Sequence, residues 1–322
     1  MYDELLRYVD DIDVATIDAE INVIESLIDS YEKSLMILEG YTGDDLSAFE
    51  IFQEGEKWDK FKEDTDAPIL GNKDESVGKR IAMVIPRLIA ALIRLCKNLF
   101  SRNKSITRRM KSDVDNMRST IQTGDPEKIR NDLRENAQKT QNTDGDTMLS
   151  INSILFAHDS SGDIDRVFLD KSWFGECRDK LAEAFDAGTD NVSGLQTHLD
   201  TITAWVKTIM HACNDLQVRS HSGGEPIQIK DSEFVEKMDE FEKLNSGDID
   251  ACNQLIAFVG EKINSLKSTK DTEDDADRNQ LLTKLLRQYN RFLKMLNTYV
   301  TSIWEAWEHD RGARDQARRS TS

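Results

Sequence analysis

The chain has 322 residues and a formal net charge of −18, with 38% hydrophobic and 32% charged residues. This length suits one large domain or two to three small ones, and the composition favours long solvated helices over one thick apolar core. The four cysteines lie more than thirty residues apart, so they argue against a disulfide-stapled scaffold and against a CxxC metal site. The acidic N-terminus resembles neither a secretory signal nor a transit peptide.

Charge is unevenly distributed along the chain. Residues 1–54 carry fifteen acids and two bases, a net of −13, whereas residues 76–112 carry ten bases and no acid. Without the first segment the formal charge would be −5. Blocks of opposite sign in one chain predict either mutual masking or separate partners.

Residues 13–39 carry the clearest helical pattern. Apolar side chains recur at alternating spacings of four and three, which defines a heptad seam: Ile17, Ile21, Ile24, Ile28, Tyr31, Leu35 and Leu38. The seam predicts a helix that packs either on its own domain or on a helix of another chain. Acidic residues surround it, so a basic surface would suit it in either case.

A basic amphipathic segment over 77–141 follows a predicted flexible linker over 55–76. Its most apolar stretch is 81–100, where Arg80, Arg87 and Arg94 repeat every seven residues on one stripe. This pattern is typical of a core helix, or of an amphipath bound to a membrane or a partner groove. The charges and Pro86 argue against a spanning helix, since each central Arg would cost about 2.5–3.5 kcal/mol.

Cations in this segment are candidates for contact with DNA, a membrane or a capsid shell. They are Lys79, Arg80, Arg87, Arg94, Lys97, Arg102, Lys104, Arg108, Arg109 and Lys111. Ten cations supply a real attraction to phosphate, but Phe100 is the one aromatic side chain among them. Contact with nucleic acid would therefore be non-specific, because base stacking needs aromatic rings.

The C-terminal half predicts an all-α fold, an elongated helical bundle over 142–309. We expect the polar continuation of the basic helix to stop near Gly124-Asp125-Pro126, and further helices over 147–157, 170–187, 191–217, 231–244, 248–266 and 275–309. The loop 219–229 is the best internal break. Residues 310–322 are Arg-rich and predict a disordered tail.

A short internal repeat indicates a possible duplicated helical unit. Residues 161–165, Ser-Gly-Asp-Ile-Asp, recur at 246–250, and the same shift maps Gly175-Glu176 onto Gly260-Glu261. Each copy precedes a helix in the predicted scheme. The alternative is that this pentapeptide is a recurrent helix-start turn with Asp as the cap.

No catalytic or metal-binding motif stands out in the sequence. The five histidines do not pair at metal-ligand spacings, and HExxH, GxGxxG, the phosphate-binding loop and GxSxG are absent. Asp159, Ser161 and Asp163 begin like a calcium loop, but Ile164 occupies the position of the required glycine. We therefore expect a structural or interaction protein rather than an enzyme, without cofactor or metal.

Residues 48–55 resemble a phage head maturation site. The prohead proteases of T-even-like phages cut after Glu, with an apolar residue two positions before it and a small residue after it. Phe52, Gln53, Glu54 and Gly55 fit this pattern, with Phe in place of the usual Leu or Ile. Over about residues 13–105, the acidic leader, cleavage motif, charged linker and basic apolar helix resemble internal head proteins of tailed phages that infect Gram-positive gut bacteria.

The resemblance implies a precursor made in the host cytoplasm and cleaved after Glu54 inside the prohead. The leader, 1–54, would direct the chain into the prohead by pairing with scaffold or capsid proteins, and its acids would mask the basic segment. The mature part would then lie in many copies, or as a homo-oligomer, inside the capsid near shell or DNA.

Two other functions remain open on the sequence alone. The 81–100 helix could act on a membrane in a protein ejected with the genome. The chain could also be a helical adaptor without a viral link, which would remain uncleaved and bind a specific protein partner.

Overall fold

The computed structural model of the protein describes residues 16–29, 77–122, 147–156, 169–186, 192–222, 226–266 and 276–321. Helices dominate these residues, and the predicted all-α class with bundle-like helix packing is confirmed. The helices are α1 (16–29), α2 (Val77–Gln122), α3 (Lys171–Asp186), α4 (Val192–Ser222), α5 (Asp231–Ser265) and α6 (Ala276–Thr321). The strands are β1 (Met148–Asn152) and β2 (Pro226–Lys230).

The chain divides into two compact units. Unit 1 draws on Met1–Phe100, Cys177–Val206 and Leu255–Lys294, and unit 2 on Ser101–Glu176, Lys207–Gln254 and Met295–Ser322. Helices α2 to α6 each supply residues to both units. Each unit thus combines separate stretches of chain.

Unit 1 has an aliphatic and aromatic core. Helix α2 presents its apolar residues at spacings of three and four, as expected for a buried helical face. Fully buried members of this core are Leu88, Leu92, Leu95, Leu99, Leu181, Ile202, Ile256, Val259, Leu285, Leu286, Tyr289, Phe292 and Leu293. The apolar face of α6 therefore lies in this core as far as Leu293, and the rings of Trp205 and Phe292 lie 5.8 Å apart.

Unit 2 contains the two-stranded antiparallel sheet. Leu149 pairs with Ile229 and Ile151 with Ile227, and the amide of Asp231 extends the ladder with a 3.0 Å bond to the carbonyl of Thr147. Phe156 lies edge-on to Phe234 at 5.3 Å, so the segment after β1 joins the same core.

The helix predicted over 147–157 is wrong, since β1 occupies these residues. Leu149 and Ile151 are buried while Met148, Ser150 and Asn152 are exposed, which is the alternation of a strand. Five residues are too few to separate this alternation from a helical pattern by sequence alone. The strand exists because β2 pairs with it from 78 residues further along the chain.

The predicted break between helices 231–244 and 248–266 is also wrong, because α5 runs unbroken through 246–250. Asp248 does not cap its own helix. It is buried and accepts a 3.0 Å hydrogen bond from the amide of Lys171, at the start of α3. Asp170 accepts a 3.0 Å hydrogen bond from the amide of Trp173. Two carboxylates thus accept hydrogen bonds from amides in the first turn of α3, which have no partner within the helix. The first pentapeptide copy lies outside the described residues.

The expected disordered tail over 310–322 is helical up to Thr321. Arg314 is buried and its Nε donates to Asp231 Oδ1 at 2.7 Å, while Arg318 Nε lies 3.0 Å from Asp231 Oδ2. Asp310 is fully buried and accepts the amide of Ile154 at 2.7 Å and the hydroxyl of Ser153 at 2.5 Å. These long-range bonds fix a charged segment that composition alone classes as disordered.

Helix α2 is described as far as Gln122, and the predicted stop near Gly124-Asp125-Pro126 lies outside the described residues. Helices α3 and α4 match their predicted spans closely. The predicted loop 219–229 is shorter than expected, because α4 continues to Ser222 and β2 begins at Pro226.

Candidate functional site: the docked N-terminal helix

The predicted seam of the acidic leader is buried inside unit 1 as far as the structure describes it. Ile17, Ile21, Ile24 and Ile28 are at most 3% exposed, and Leu27 is also buried. Thr16, Asp18, Ala19, Asn22 and Ser26 face outward. The seam therefore packs within its own chain, which is one of the two arrangements left open by the sequence. Tyr31, Leu35 and Leu38 lie outside the described residues.

Glu20 links α1 to α2. Asn98 Nδ2 donates to one carboxylate oxygen of Glu20 at 2.9 Å, and Arg94 Nε lies 3.5 Å from the other. The side chain of Glu20 is 21% exposed and that of Arg94 is 51% exposed, so the ion pair is partly screened by water. This contact joins the acidic leader to the predicted basic stripe.

Two polar residues of α6 also contact α1. Asn290 is fully buried and its Nδ2 donates to the backbone carbonyl of Ile21 at 3.3 Å. Arg287 Nη2 lies 2.5 Å from Asp29 Oδ1 at the end of α1. Four polar contacts to two helices thus fix the position of α1, while the isoleucine face supplies the apolar burial.

The apolar stretch predicted over 81–100 forms part of the core. Its buried side chains, among those that are described, are Ile85, Leu88, Ile89, Leu92, Leu95, Cys96 and Leu99. Pro86 lies within the helix and is exposed. None of the helices in the described part of the chain has the length and apolarity needed to cross a bilayer.

The predicted basic residues do not form one common surface. Arg102 is buried and donates to Asn297 and, at 2.7 Å, to the hydroxyl of Thr301. Arg87 and Arg109 are half-buried, and the side chains of Lys79 and Arg80 lie outside the described residues. Exposed cations besides Arg94 are Lys97, Lys104, Arg108 and Lys111. The last three follow one face of α2 in unit 2, at spacings of four and three.

The cleavage motif Phe52-Gln53-Glu54-Gly55 lies outside the described residues. Among those that are described, no group of His, Cys, Asp and Glu is arranged to hold a metal ion. All four cysteines are buried, and burial raises the pKa of Cys96 to about 12 and that of Cys213 to about 11. These thiols pack as small apolar side chains rather than as nucleophiles.

Sequence reasoning missed two buried asparagines of α6 that form hydrogen bonds to other helices. Asn290 and Asn297 interrupt the apolar face of α6 one heptad apart; Asn290 donates to Ile21 of α1, and Asn297 accepts from Arg102 of α2. A buried Asn in a seam is a known device for fixing register. That spacing is the signal that could have found them, whereas the partners could not be read from the sequence.

Comparison with protein-family models, curated proteins and solved structures finds no match. The class that the structure defines is therefore an all-α protein of two helical units, one of which holds an acidic N-terminal helix.

Proposed function

We propose that this chain is an internal head protein of a tailed phage, made as a precursor and cleaved after Glu54 during prohead maturation. The observation that carries the proposal is the sequence Phe52-Gln53-Glu54-Gly55 at the junction between an acidic leader and a basic segment. Its immediate partners would be scaffold or capsid proteins and the prohead protease.

Such a cleavage would change the net charge of the mature chain. Residues 1–54 contribute −13 to the formal charge, and their loss would leave −5 on the mature chain. A less negative protein repels packaged DNA less strongly, since net charge sets the long-range field. The pairing of Glu20 with Arg94 supports the view that leader acids mask the basic segment at close range as well.

Exposed cations in unit 2 offer a contact for phosphate. Lys104, Arg108 and Lys111 lie on one face of α2, and three such contacts would give weak, salt-sensitive, sequence-independent attraction. This property suits a protein that lies beside packaged DNA in the capsid interior.

Because four of the seven seam residues are buried in unit 1, scaffold proteins would have to recognise another surface of the leader. The outward face of α1 and the remainder of residues 1–54 are the available candidates. Recognition by the acidic face predicts an interaction that weakens as salt is added.

Editing the cleavage motif in the phage tests the proposal. The Glu54→Gln variant removes the carboxylate that a Glu-specific protease requires, so the full-length chain should accumulate inside filled particles. Glu50→Gln, four residues earlier in the same segment, is the matched control and should be processed like the wild type. Absence of the chain from nuclease- and protease-treated particles, or unchanged processing of Glu54→Gln, would contradict the proposal.

A further inference from the structure

We infer that unit 1 binds the leader helix as a separable ligand, so that a cut between α1 and α2 leaves the leader attached. The receptor is the part of unit 1 formed by α2 and α6, and the ligand is an acidic helix with isoleucines at positions equivalent to 17, 21, 24 and 28. The inference concerns this chain whether or not it is a phage protein; only its consequence for maturation rests on the proposed function.

The contacts of α1 are those of a helix in a groove. A helix satisfies its interior backbone groups itself, so binding relies on side chains at spacings of three and four. Here one face is almost completely buried, at Ile17, Ile21, Ile24 and Ile28, and the opposite face is exposed. The apolar face provides affinity without any need for covalent continuity with α2.

Polar contacts give the groove its selectivity. Arg94 and Asn98 on α2 recognise a carboxylate at position 20, and Arg287 on α6 recognises one at position 29. Buried Asn290 recognises the backbone carbonyl of Ile21, which fixes the register of the bound helix. An apolar helix with basic residues at positions 20 and 29 would place them beside Arg94 and Arg287, and like charges repel.

The covalent connection contributes mainly through effective concentration. Joining a ligand to its receptor makes binding intramolecular, and cutting the connection removes that advantage without removing a contact of α1. Cleavage after Glu54 would therefore leave Glu20 on Arg94. The leader would depart only in a second step, such as displacement or further proteolysis.

The test uses the full-length chain with the recognition sequence of a site-specific endopeptidase in place of residues 52–55. After complete cutting, native mass spectrometry and size-exclusion chromatography should find the fragments together in a one-to-one complex with unchanged helical circular dichroism. Separate elution of the leader, or unfolding of the remainder on cutting, would overturn the inference.

Charge variants test the groove without changing the buried isoleucines of α1. Glu20→Lys should weaken retention of the cut leader by about three- to tenfold, because it places a cation beside Arg94. The second change Arg94→Glu should restore much of the loss. Asn22→Lys, on the exposed face of the same helix, should bind like the wild type. Equal retention for Glu20→Lys and Asn22→Lys would place the leader elsewhere and contradict the groove.

Failure of this test is distinguishable from failure of the proposed function. The cut here is made by a foreign protease in the purified protein, whereas processing in the phage is read from the particle. If the cut leader stays bound but the chain is not processed in the phage, the groove is supported and the precursor proposal is contradicted. If the chain is processed but the cut leader does not stay bound, the precursor proposal is supported and the groove is contradicted.

Discussion

At the scale of single residues, the ten cations predicted to form a contact surface have different roles. Arg102 is a structural residue, since its guanidinium is buried and bonded to Asn297 and Thr301, whereas Arg108 is exposed on the same helix. Residue type alone does not separate these roles. The distinction depends on which helical face meets the core.

Replacing Arg102 by Ala should lower the free energy of unfolding by about 2–3 kcal/mol, because it leaves buried polar partners without their charged donor. Arg108→Ala is the matched control and should change stability by no more than about 0.5 kcal/mol. Urea unfolding followed by circular dichroism measures both. Similar losses in the two variants would contradict the assignment.

His198 should make unit 1 sensitive to acid. Burial lowers the pKa of His198, and the charge of Lys262 also acts to lower it. Because the unfolded chain then binds a proton more readily than the folded one, the free energy of unfolding falls as the pH drops below about 6.5. The loss continues down to the depressed folded pKa, at no more than about 1.4 kcal/mol per pH unit for one proton.

Urea unfolding at pH 7.5 and pH 5.5 tests this in the wild type and in His198→Leu, which cannot titrate. The comparison uses the difference between the two pH values, so a general loss of stability in the variant cancels. A smaller acid-induced loss in the variant is expected. An equal loss in both proteins would show that other groups control the acid response.

At the scale of elements, α5 is the clearest departure from the local sequence. Gly247 lies inside this continuous helix, and an added Cβ would meet nothing within 4 Å. At Gly260, in contrast, an added Cβ would lie 3.4 Å from Cys96 Cβ, where α5 approaches α2 closely. Close packing therefore accounts for the glycine at 260, whereas no neighbouring atom requires one at 247.

Gly247→Ala should raise the free energy of unfolding by about 0.5–1 kcal/mol, because Ala loses less backbone entropy in a helix. Gly260→Ala should raise the free energy of unfolding by less than Gly247→Ala does, or lower it, since the new methyl group contacts Cys96. Thermal unfolding of both variants makes the comparison. A destabilising Gly247→Ala would instead favour a turn at 246–250, as predicted by the break between helices 231–244 and 248–266.

The end of α6 provides a second test of an element. Arg314→Ala should lower the free energy of unfolding by about 3 kcal/mol, because it removes a buried partner of the buried Asp231 carboxylate. Arg319→Ala, at an exposed position five residues further along the same helix, should be nearly neutral. If both are neutral in urea unfolding, residues 310–322 behave as the disordered tail that their composition predicts.

At the scale of the whole molecule, periodic features of the sequence predicted the structure best. The seam from Ile17 to Ile28 and the apolar face from Ile85 to Leu99 repeat at three and four, and both are buried. Short or partner-dependent features failed. Strand β1 requires β2, Asp248 caps α3 rather than its own helix, and Arg314 is ordered by Asp231, 83 residues away. Local sequence does not encode such partners.

The candidate site was predictable in part for the same reason. The heptad seam located one side of the interface, and charge asymmetry predicted either contact between leader acids and bases further along the chain or separate partners for the two segments. Neither feature identified α6 as the second side, because Arg287 and Asn290 have no distinguishing local pattern apart from the Asn spacing. Their role depends on tertiary packing of α1.

The N-terminus of this chain in the native particle shows whether the proposed cleavage after Glu54 takes place. Mass spectrometry of semi-specific peptides from purified filled particles should find the mature chain beginning at Gly55. Peptides from 1–54 should appear as a separate fragment if the leader stays bound, or not at all if it is removed later. A chain that begins at Met1 or Tyr2 and continues intact through Glu54 would contradict the proposed processing.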